Sequence, residues 1–170
     1  MAKNKGKQFE QQVFEAFSKV DGVSIDRIPD QVTRYKGSSS NICDYVVYKQ
    51  ATLLYLECKS VHGNTLSIHS EPKMGKDGKL HGFHGNIRDN QWDGLMDKSK
   101  IKGVKAGVIC WWVDKDVTLY IPIQELDRLY KEGNKSVRFD FESSSIVEVV
   151  GTKKRVYYDY DVAEFFNKIF

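Results

Sequence analysis

The stretch Cys43-Asp44-Tyr45-Val46-Val47-Tyr48-Lys49-Gln50-Ala51-Thr52-Leu53-Leu54-Tyr55-Leu56-Glu57-Cys58-Lys59 decides the fold of this 170-residue chain. Residues 43–48 and 53–59 are both rich in aliphatic and aromatic side chains, the composition of strands half-buried in a sheet. The few residues between them predict a hairpin. Strand side chains alternate, so Glu57 and Lys59 point to one face while Leu54, Leu56 and Cys58 point to the other. A turn centred between Gln50 and Ala51 sets Asp44 opposite Glu57, with Cβ atoms roughly 4.5–5.5 Å apart. A one-residue slip in register would undo that alignment.

Outward from the hairpin, helices and strands alternate. Upstream, Phe9, Val13, Ala16, Phe17 and Val20 recur at helical spacing and predict an amphipathic helix over residues 7–20, ended by Gly22. Residues 23–28 read as a short strand stopped by Pro29, and Gly37-Ser38-Ser39-Ser40-Asn41 closes a polar loop. Downstream, residues 62–89 are irregular and hold five glycines and every histidine of the chain. A stretch this long without regular structure is usually functional or mobile. Asp89 is the expected cap of a helix running to Lys100, with Trp92, Leu95 and Met96 inward. Residues 104–113 form a nearly continuous apolar run, the mark of a central strand. Residues 117–121 follow as a strand, and Pro122 opens a short helix to Tyr130. Strands are expected at 136–140, 146–150 and 154–159. Asp161 then caps a last helix carrying Val162, Phe165, Phe166 and Ile169. The order predicts an α/β fold with a mixed, partly antiparallel central β-sheet flanked by helices, in one domain spanning 1–170.

Composition excludes several classes. Hydrophobic residues make up 41% and charged residues 29%, as in a globular chain rather than a disordered one. No apolar run approaches the ~18 residues of a membrane span, and no apolar segment follows the basic start, so the expected setting is a cytosol without membrane contact. Cys43, Cys58 and Cys110 lie far apart in apolar stretches without a CxxC pair. They read as buried thiols and argue against zinc. The net charge of +3 is compatible with nucleic acid without demanding it. Lys73, Lys76, Lys79 and Arg88 crowd the irregular stretch, either as a solvated face or as phosphate contacts.

Acid-x-lysine strings are cheap, since chance alone supplies about three in a chain so rich in surface charge. They occur at Glu57/Lys59, Glu71/Lys73 and Asp77/Lys79, and only the first lies on a predicted strand. Its plain alternative is an edge-strand salt bridge. Two facing carboxylates repel, however, unless a cation sits between them, and Mg²⁺ takes oxygen ligands at about 2.0–2.1 Å while keeping several waters. A metal held by Asp44 and Glu57 would activate water against a phosphodiester, with Lys59 orienting or deprotonating that water. His81-x-x-His84 lacks a third ligand at sensible spacing.

Asp44…Glu57-x-Lys59 between two helices resembles the PD-(D/E)XK nuclease superfamily. The resemblance extends through Phe83-His84, the helix opening Asn90-Gln91, the strand Gly107-Val108-Ile109 and Leu119-Tyr120-Ile121-Pro122 to the RecU-type Holliday junction resolvases, over roughly residues 5–130. It implies a restriction-endonuclease-like core, with residues 136–170 added to it. It also implies Mg²⁺ or Mn²⁺ bound by Asp44, Glu57 and the carbonyl of Cys58, with Lys59 as catalytic lysine. Glu10 matches the family's helical glutamate, and Gln91 would reach the active site from its helix. A homodimer cutting four-way or branched DNA in a bacterial cytosol, host- or phage-encoded, is the implied setting. One departure matters. The family's long stalk between the first two strands is shortened or missing, since 29–41 is too short for a full one. Arg34, Tyr35 and Lys36 are either its remnant or an ordinary loop, with Arg34 and Lys36 as DNA contacts. Asp44 is preferred over the literal Pro29-Asp30 pair because the hairpin places it. A nuclease without junction preference, or an inert DNA-binding or assembly module, stands as the alternative; the intact Asp44, Glu57 and Lys59 favour an enzyme.

Overall fold

Helix α1 (Lys5–Ser18) starts where Asn4 accepts a hydrogen bond from the Gly6 amide at 3.0 Å, and it buries Phe9, Val13, Ala16 and Phe17 along one stripe. The computed structural model describes residues 4–29, 41–154 and 158–170. Strands β1 (Ser24–Arg27), β2 (Tyr45–Lys49) and β3 (Thr52–Val61) follow as an antiparallel meander. Next come β4 (Thr65–Ser67), β5 (Lys73–Met74), β6 (Leu80–His81), α2 (Asp89–Ser99), β7 (Val104–Trp112), β8 (Val117–Pro122) and α3 (Ile123–Lys131). The chain closes with β9 (Ser136–Arg138), β10 (Val147–Glu148), β11 (Gly151–Lys153), β12 (Tyr158–Tyr160) and α4 (Val162–Ile169).

Six strands form the central sheet in the order β1-β2-β3-β7-β8-β10. The β3–β7 pair is parallel and its neighbours are antiparallel, so the sheet is mixed, as the element order predicts. A parallel pair needs a crossover, and α2 supplies it. The alternation of β7 explains its continuous apolar run. Ile109 and Trp111 enter the core under α1 and α4, while Val108, Cys110 and Trp112 enter the core under α2 and α3. Both tryptophans are thus core residues.

Gln50 and Ala51 form the two-residue turn between β2 and β3, with φ of +48° and +60° at the two positions. The ladder runs from Lys49 opposite Thr52 to Tyr45 opposite Leu56, so Asp44 stands one step further, level with Glu57. The register is the one that the sequence predicts.

Other expectations change. Residues 62–89 are less irregular than their composition suggests: β5 and β6 form a small hairpin, and β4 pairs with β9 outside the central sheet. The strand expected at 154–159 is instead β11 and β12, paired on either side of residues outside the description. Helix α2 is capped from Arg88, and Asp89 is its first residue. The Asp89 carboxylate instead accepts from the amides of Gly82 and Phe83, at 2.6 and 2.9 Å, tying the β5–β6 hairpin to the helix start. Asp161 does cap α4, accepting from the Glu164 amide at 2.9 Å.

Helix α2 is held close to the strand layer. A Cβ built on Gly94 would lie 2.4 Å from Cγ2 of Ile42 and 2.7 Å from its Cβ. Nearby, the side-chain amide of Asn41 donates to the carbonyls of Ile28 and Pro29 at 3.3 and 2.7 Å, and Asn90 of α2 donates to the Asn41 carbonyl at 3.0 Å. Glycine-to-alanine in a helix interior ordinarily adds up to about 1 kcal/mol of stability. Here the overlap reverses the sign. Gly94→Ala is expected to lower the unfolding free energy by a net ~1–2 kcal/mol, measured by urea denaturation. Ile42→Ala in the same chain is expected to recover part of that loss, read as a favourable coupling in a double-mutant cycle.

Candidate active site

Strand β3 divides its side chains between the two cores. Leu54, Leu56 and Cys58 pack under α1 and α4, while Tyr55 and Val61 pack on the α2 and α3 side. Glu57 and Lys59 share the parity of Tyr55 and Val61, so they lie beneath the start of α2. Glu57 is 2% exposed. Its Oε1 accepts from the Gln91 carboxamide at 2.6 Å and from the Lys59 ammonium at 2.7 Å. Lys59 also donates to Gln91 Oε1 at 3.1 Å, which closes a triangle of three side chains. The backbone amide of Arg88 donates to the same Gln91 oxygen at 3.2 Å, fixing the carboxamide from the helix end. Gln91 is itself buried, so its two bonding ends are set by neighbours rather than by water.

Asp44 stands beside this triangle at the foot of β2. Its Oδ2 accepts from the Cys58 amide at 2.8 Å, and its own amide donates to the Leu56 carbonyl at 3.2 Å. Burial raises the Asp44 pKa above the ordinary carboxylate value, against the lowering effects of the Cys58 amide and of Lys59. Glu57 is pushed up from 4.5 to about 7, first by burial and further by the Asp44 charge, with Lys59 opposing. The thiols are no nucleophiles. Burial pushes Cys43 up to about 12 and Cys58 and Cys110 well above their ordinary value, and all three are free and buried.

The second Glu57 oxygen, Oε2, is buried without a hydrogen-bond partner. A buried carboxylate oxygen left bare is costly. Together with the adjoining Asp44 carboxylate, it fits a hard divalent cation such as Mg²⁺ or Mn²⁺. Such an ion is satisfied by one or two protein carboxylates and completes its shell with water. Among the described residues no three His, Cys, Asp or Glu side chains gather into an all-protein metal cage. His81 is paired with Asp77 at 2.9 Å, and His84 lies flat on Trp92 with ring centroids 4.0 Å apart, so the two histidines serve different neighbours.

The structure thus brings together Asp44, Glu57, Lys59 and Gln91. Glu10 sits on α1, where the Arg27 guanidinium meets its carboxylate at 3.2 Å; its charge still acts on Cys58 and Tyr45, as Asp44 does. Arg88 is exposed at the start of α2, and Lys73, Lys76 and Lys79 are exposed on the β5–β6 hairpin. Arg34 and Lys36 lie outside the described residues. Sequence reasoning missed the anchoring by Asp89 and the clasp of Asn41 and Asn90. Asn41, at the end of the Gly-Ser run, was their only local signal.

No protein-family model matches the chain, and no curated protein matches it either. Among solved structures it is similar to Hjc of Archaeoglobus fulgidus, a Holliday junction resolvase from an archaeal hyperthermophile. That likeness has 18% identity and a TM-score of 0.45, covering 70% of this chain and 78% of that one. It is also similar to a bacterial homing endonuclease at 15% identity and a TM-score of 0.42, over 99% of this chain and 92% of that one. What the site can do follows from its side chains.

The raised Glu57 pKa has a measurable sign. The folded chain keeps this proton up to about pH 7, whereas an unconstrained glutamate releases it near 4.5. The folded, metal-free protein therefore loses stability as pH rises through that interval. Glu57→Gln keeps an oxygen for Lys59 and Gln91 but removes the charge. It is expected to raise the stability of the metal-free protein at pH 8 by ~1–3 kcal/mol and to change it little at pH 4, measured by chemical denaturation with chelator present.

Proposed function

We propose that the chain is a metal-dependent DNA endonuclease and that its substrate is branched DNA, which it cleaves as a junction resolvase. The observation that carries the enzymatic reading is the buried Glu57 carboxylate, held at one oxygen by Lys59 and Gln91, bare at the other, and set beside Asp44. An edge-strand salt bridge would not need a second carboxylate at its side, a buried glutamine clamping both partners, or an unsatisfied oxygen.

Asp44, Glu57 and the Cys58 carbonyl are the groups that would hold Mg²⁺ or Mn²⁺, which supplies Lewis-acid polarisation of the phosphate and charge neutralisation when bound. The chain's own residues do the rest. Lys59 orients the attacking water and offsets the negative charge that builds on the phosphoryl oxygens. As the water oxygen bonds to phosphorus and releases a proton, the bond from phosphorus to the leaving sugar oxygen breaks and that oxygen takes up a proton from solvent. Gln91 fixes the distance between Lys59 and Glu57, and the Arg88 amide fixes Gln91. Glu10 acts from α1 at the edge of the site, in the role of the family's helical glutamate. Arg88 and the hairpin lysines contact phosphates on the flanking strands. Two copies of the chain would cut the two opposed strands of a four-way junction. The brevity of 29–41 favours a second reading at the level of substrate, a nuclease of the same chemistry without junction preference.

The test compares cleavage of a mobile four-way junction, a linear duplex and a flap, each with Mg²⁺, Mn²⁺ or chelator. Paired nicks in the junction alone, lost with chelator, are the expected result. Cleavage of all three substrates would assign the second reading. Binding without cleavage under every metal would overturn the enzymatic reading. Asp44→Asn and Glu57→Gln are each expected to lower cleavage at least ~10³-fold while junction affinity holds or rises, since both remove negative charge facing phosphate. Lys59→Ala is expected to cost ~10²-fold or more in cleavage while metal binding, followed by calorimetry, is retained.

A further inference from the structure

The β5–β6 hairpin stands out from the rest of the molecule. No residue from 69 to 86 is buried, yet the segment is ordered by its own hydrogen bonds. Lys73 pairs with His81 and Met74 with Leu80 across the two strands. The tip closes through the Gly75 amide on the Lys79 carbonyl at 2.7 Å and the Asp77 carboxylate on the Lys79 amide at 3.2 Å. At its base, the Ser70 amide donates to the Phe83 carbonyl at 2.9 Å, and the Ser70 hydroxyl donates to the Gly82 carbonyl. The two amides held by Asp89 fix that base to the first residue of α2, two positions before Gln91. The hairpin is therefore hydrogen-bonded along its length and tied at its base to the first residue of α2, two positions from Gln91.

Its surface is unusual in two ways. Met74 is 67% exposed, the highest value for a large hydrophobic side chain among the described residues, and its cross-strand partner Leu80 is 49% exposed. Facing residues of a strand pair share a face, so the two form one apolar edge that supports no core. Lys73 pairs with His81 on the opposite face of the hairpin, Lys76 lies in its tip and Lys79 precedes Leu80; all three are exposed, and none has an ion-pair partner among the described residues. Of the two acids in the same segment, Glu71 and Asp77, the latter is engaged by His81. An apolar edge set among unpaired lysines suits DNA. Bases offer flat apolar faces once unstacked, and phosphates stand to either side of them.

We propose that this hairpin is a wedge that unstacks DNA bases next to the cleaved step, with Met74 and Leu80 against the exposed base face and Lys73, Lys76 and Lys79 on the phosphates. The proposal rests on the nuclease reading for its placement, since the root of the hairpin adjoins Gln91. The wedge is a different element from the 29–41 segment and lies on the other side of β3 in sequence.

The experiment uses the full chain carrying Asp44→Asn, so that bound DNA stays intact, and a four-way junction with 2-aminopurine at the branch. Binding is expected to raise the fluorescence several-fold through unstacking. Adding Met74→Ala and Leu80→Ala is expected to return the signal to near that of free DNA, without a change in the melting curve, because neither side chain is in a core. Adding Lys73→Ala, Lys76→Ala and Lys79→Ala instead is expected to lower the slope of log Kd against log salt by about 3. In the otherwise unaltered chain, with Asp44 in place, Met74→Ala with Leu80→Ala is expected to slow cleavage of a fully paired junction at least 10-fold and to spare a junction with mismatched bases at the branch. A fluorescence rise that survives loss of Met74 and Leu80, or no rise with the unaltered hairpin, overturns the wedge. Equal slowing on paired and mismatched junctions also overturns it. Should no substrate be cleaved while the signal still depends on Met74 and Leu80, the nuclease reading falls and the wedge stands.

Discussion

Glu57 is buried beneath α2 with one oxygen between an ammonium and a carboxamide and the other oxygen bare, and much of the surrounding chain is arranged to tolerate this. A lone ionised carboxylate in such a place would shift its pKa and take a proton, and this one is partway there. Lys59 and Gln91 hold it short of that outcome. They reach it only because β3 presents alternate residues to one face and α2 begins directly over that face. A half-turn of rotation in α2 would take Gln91 away. The close approach at Gly94 and the hydrogen bond from the Arg88 amide both work against such a rotation.

The same strand makes this economical. In a sheet covered on both faces, each strand must fill two cores at once, and β3 fills one with Leu54, Leu56 and Cys58. On its other face Tyr55 and Val61 bracket the polar pair, so Glu57 and Lys59 replace apolar residues over a short interval only. On one side β3 is held by β7, apolar on both faces, through nine parallel pairs from Leu53 with Val104 to Val61 with Trp112, and on the other by the antiparallel ladder with β2. The charged pair is thus carried by a strand paired with β7 along most of its length and with β2 over its first half.

How much of this was legible in the sequence depends on how local each determinant is. The α1 stripe, the β2–β3 hairpin with its register, the β7 run and the Asp161 cap each follow from residues adjacent in sequence or at helical spacing, and all are present in the fold. The proximity of Asp44 and Glu57 was legible for the same reason, since a two-residue turn fixes the whole ladder. Elements whose existence depends on a distant partner were not legible. Strand β4 is three residues long and is a strand only because β9 lies beside it. The hairpin of β5 and β6 hid in a glycine- and lysine-rich run because two-residue strands carry no periodicity. Asp89 sat at a helix start with the chemistry of a cap. It instead bonds the Gly82 and Phe83 amides, a choice set by where the preceding chain returns. The clamp of Gln91 on both Glu57 and Lys59 spans more than 30 residues, and only the resemblance to a known family pointed to it.

The Asn41 clasp has a different kind of consequence. By holding the carbonyls of Ile28 and Pro29 and being held in turn by Asn90, it pins together the two ends of the segment between β1 and β2. Once the ends of a loop are fixed, its length enters the folding free energy only logarithmically, with each doubling costing about 0.6 kcal/mol. Asp44 begins three residues after the clasp and is insulated from whatever the segment contains. The clasp therefore acts as a socket. A short segment could be exchanged for a long one at this point while Asp44, Glu57 and Lys59 keep their places. In this architecture, the length of that segment and the placement of the two carboxylates and the lysine can change independently.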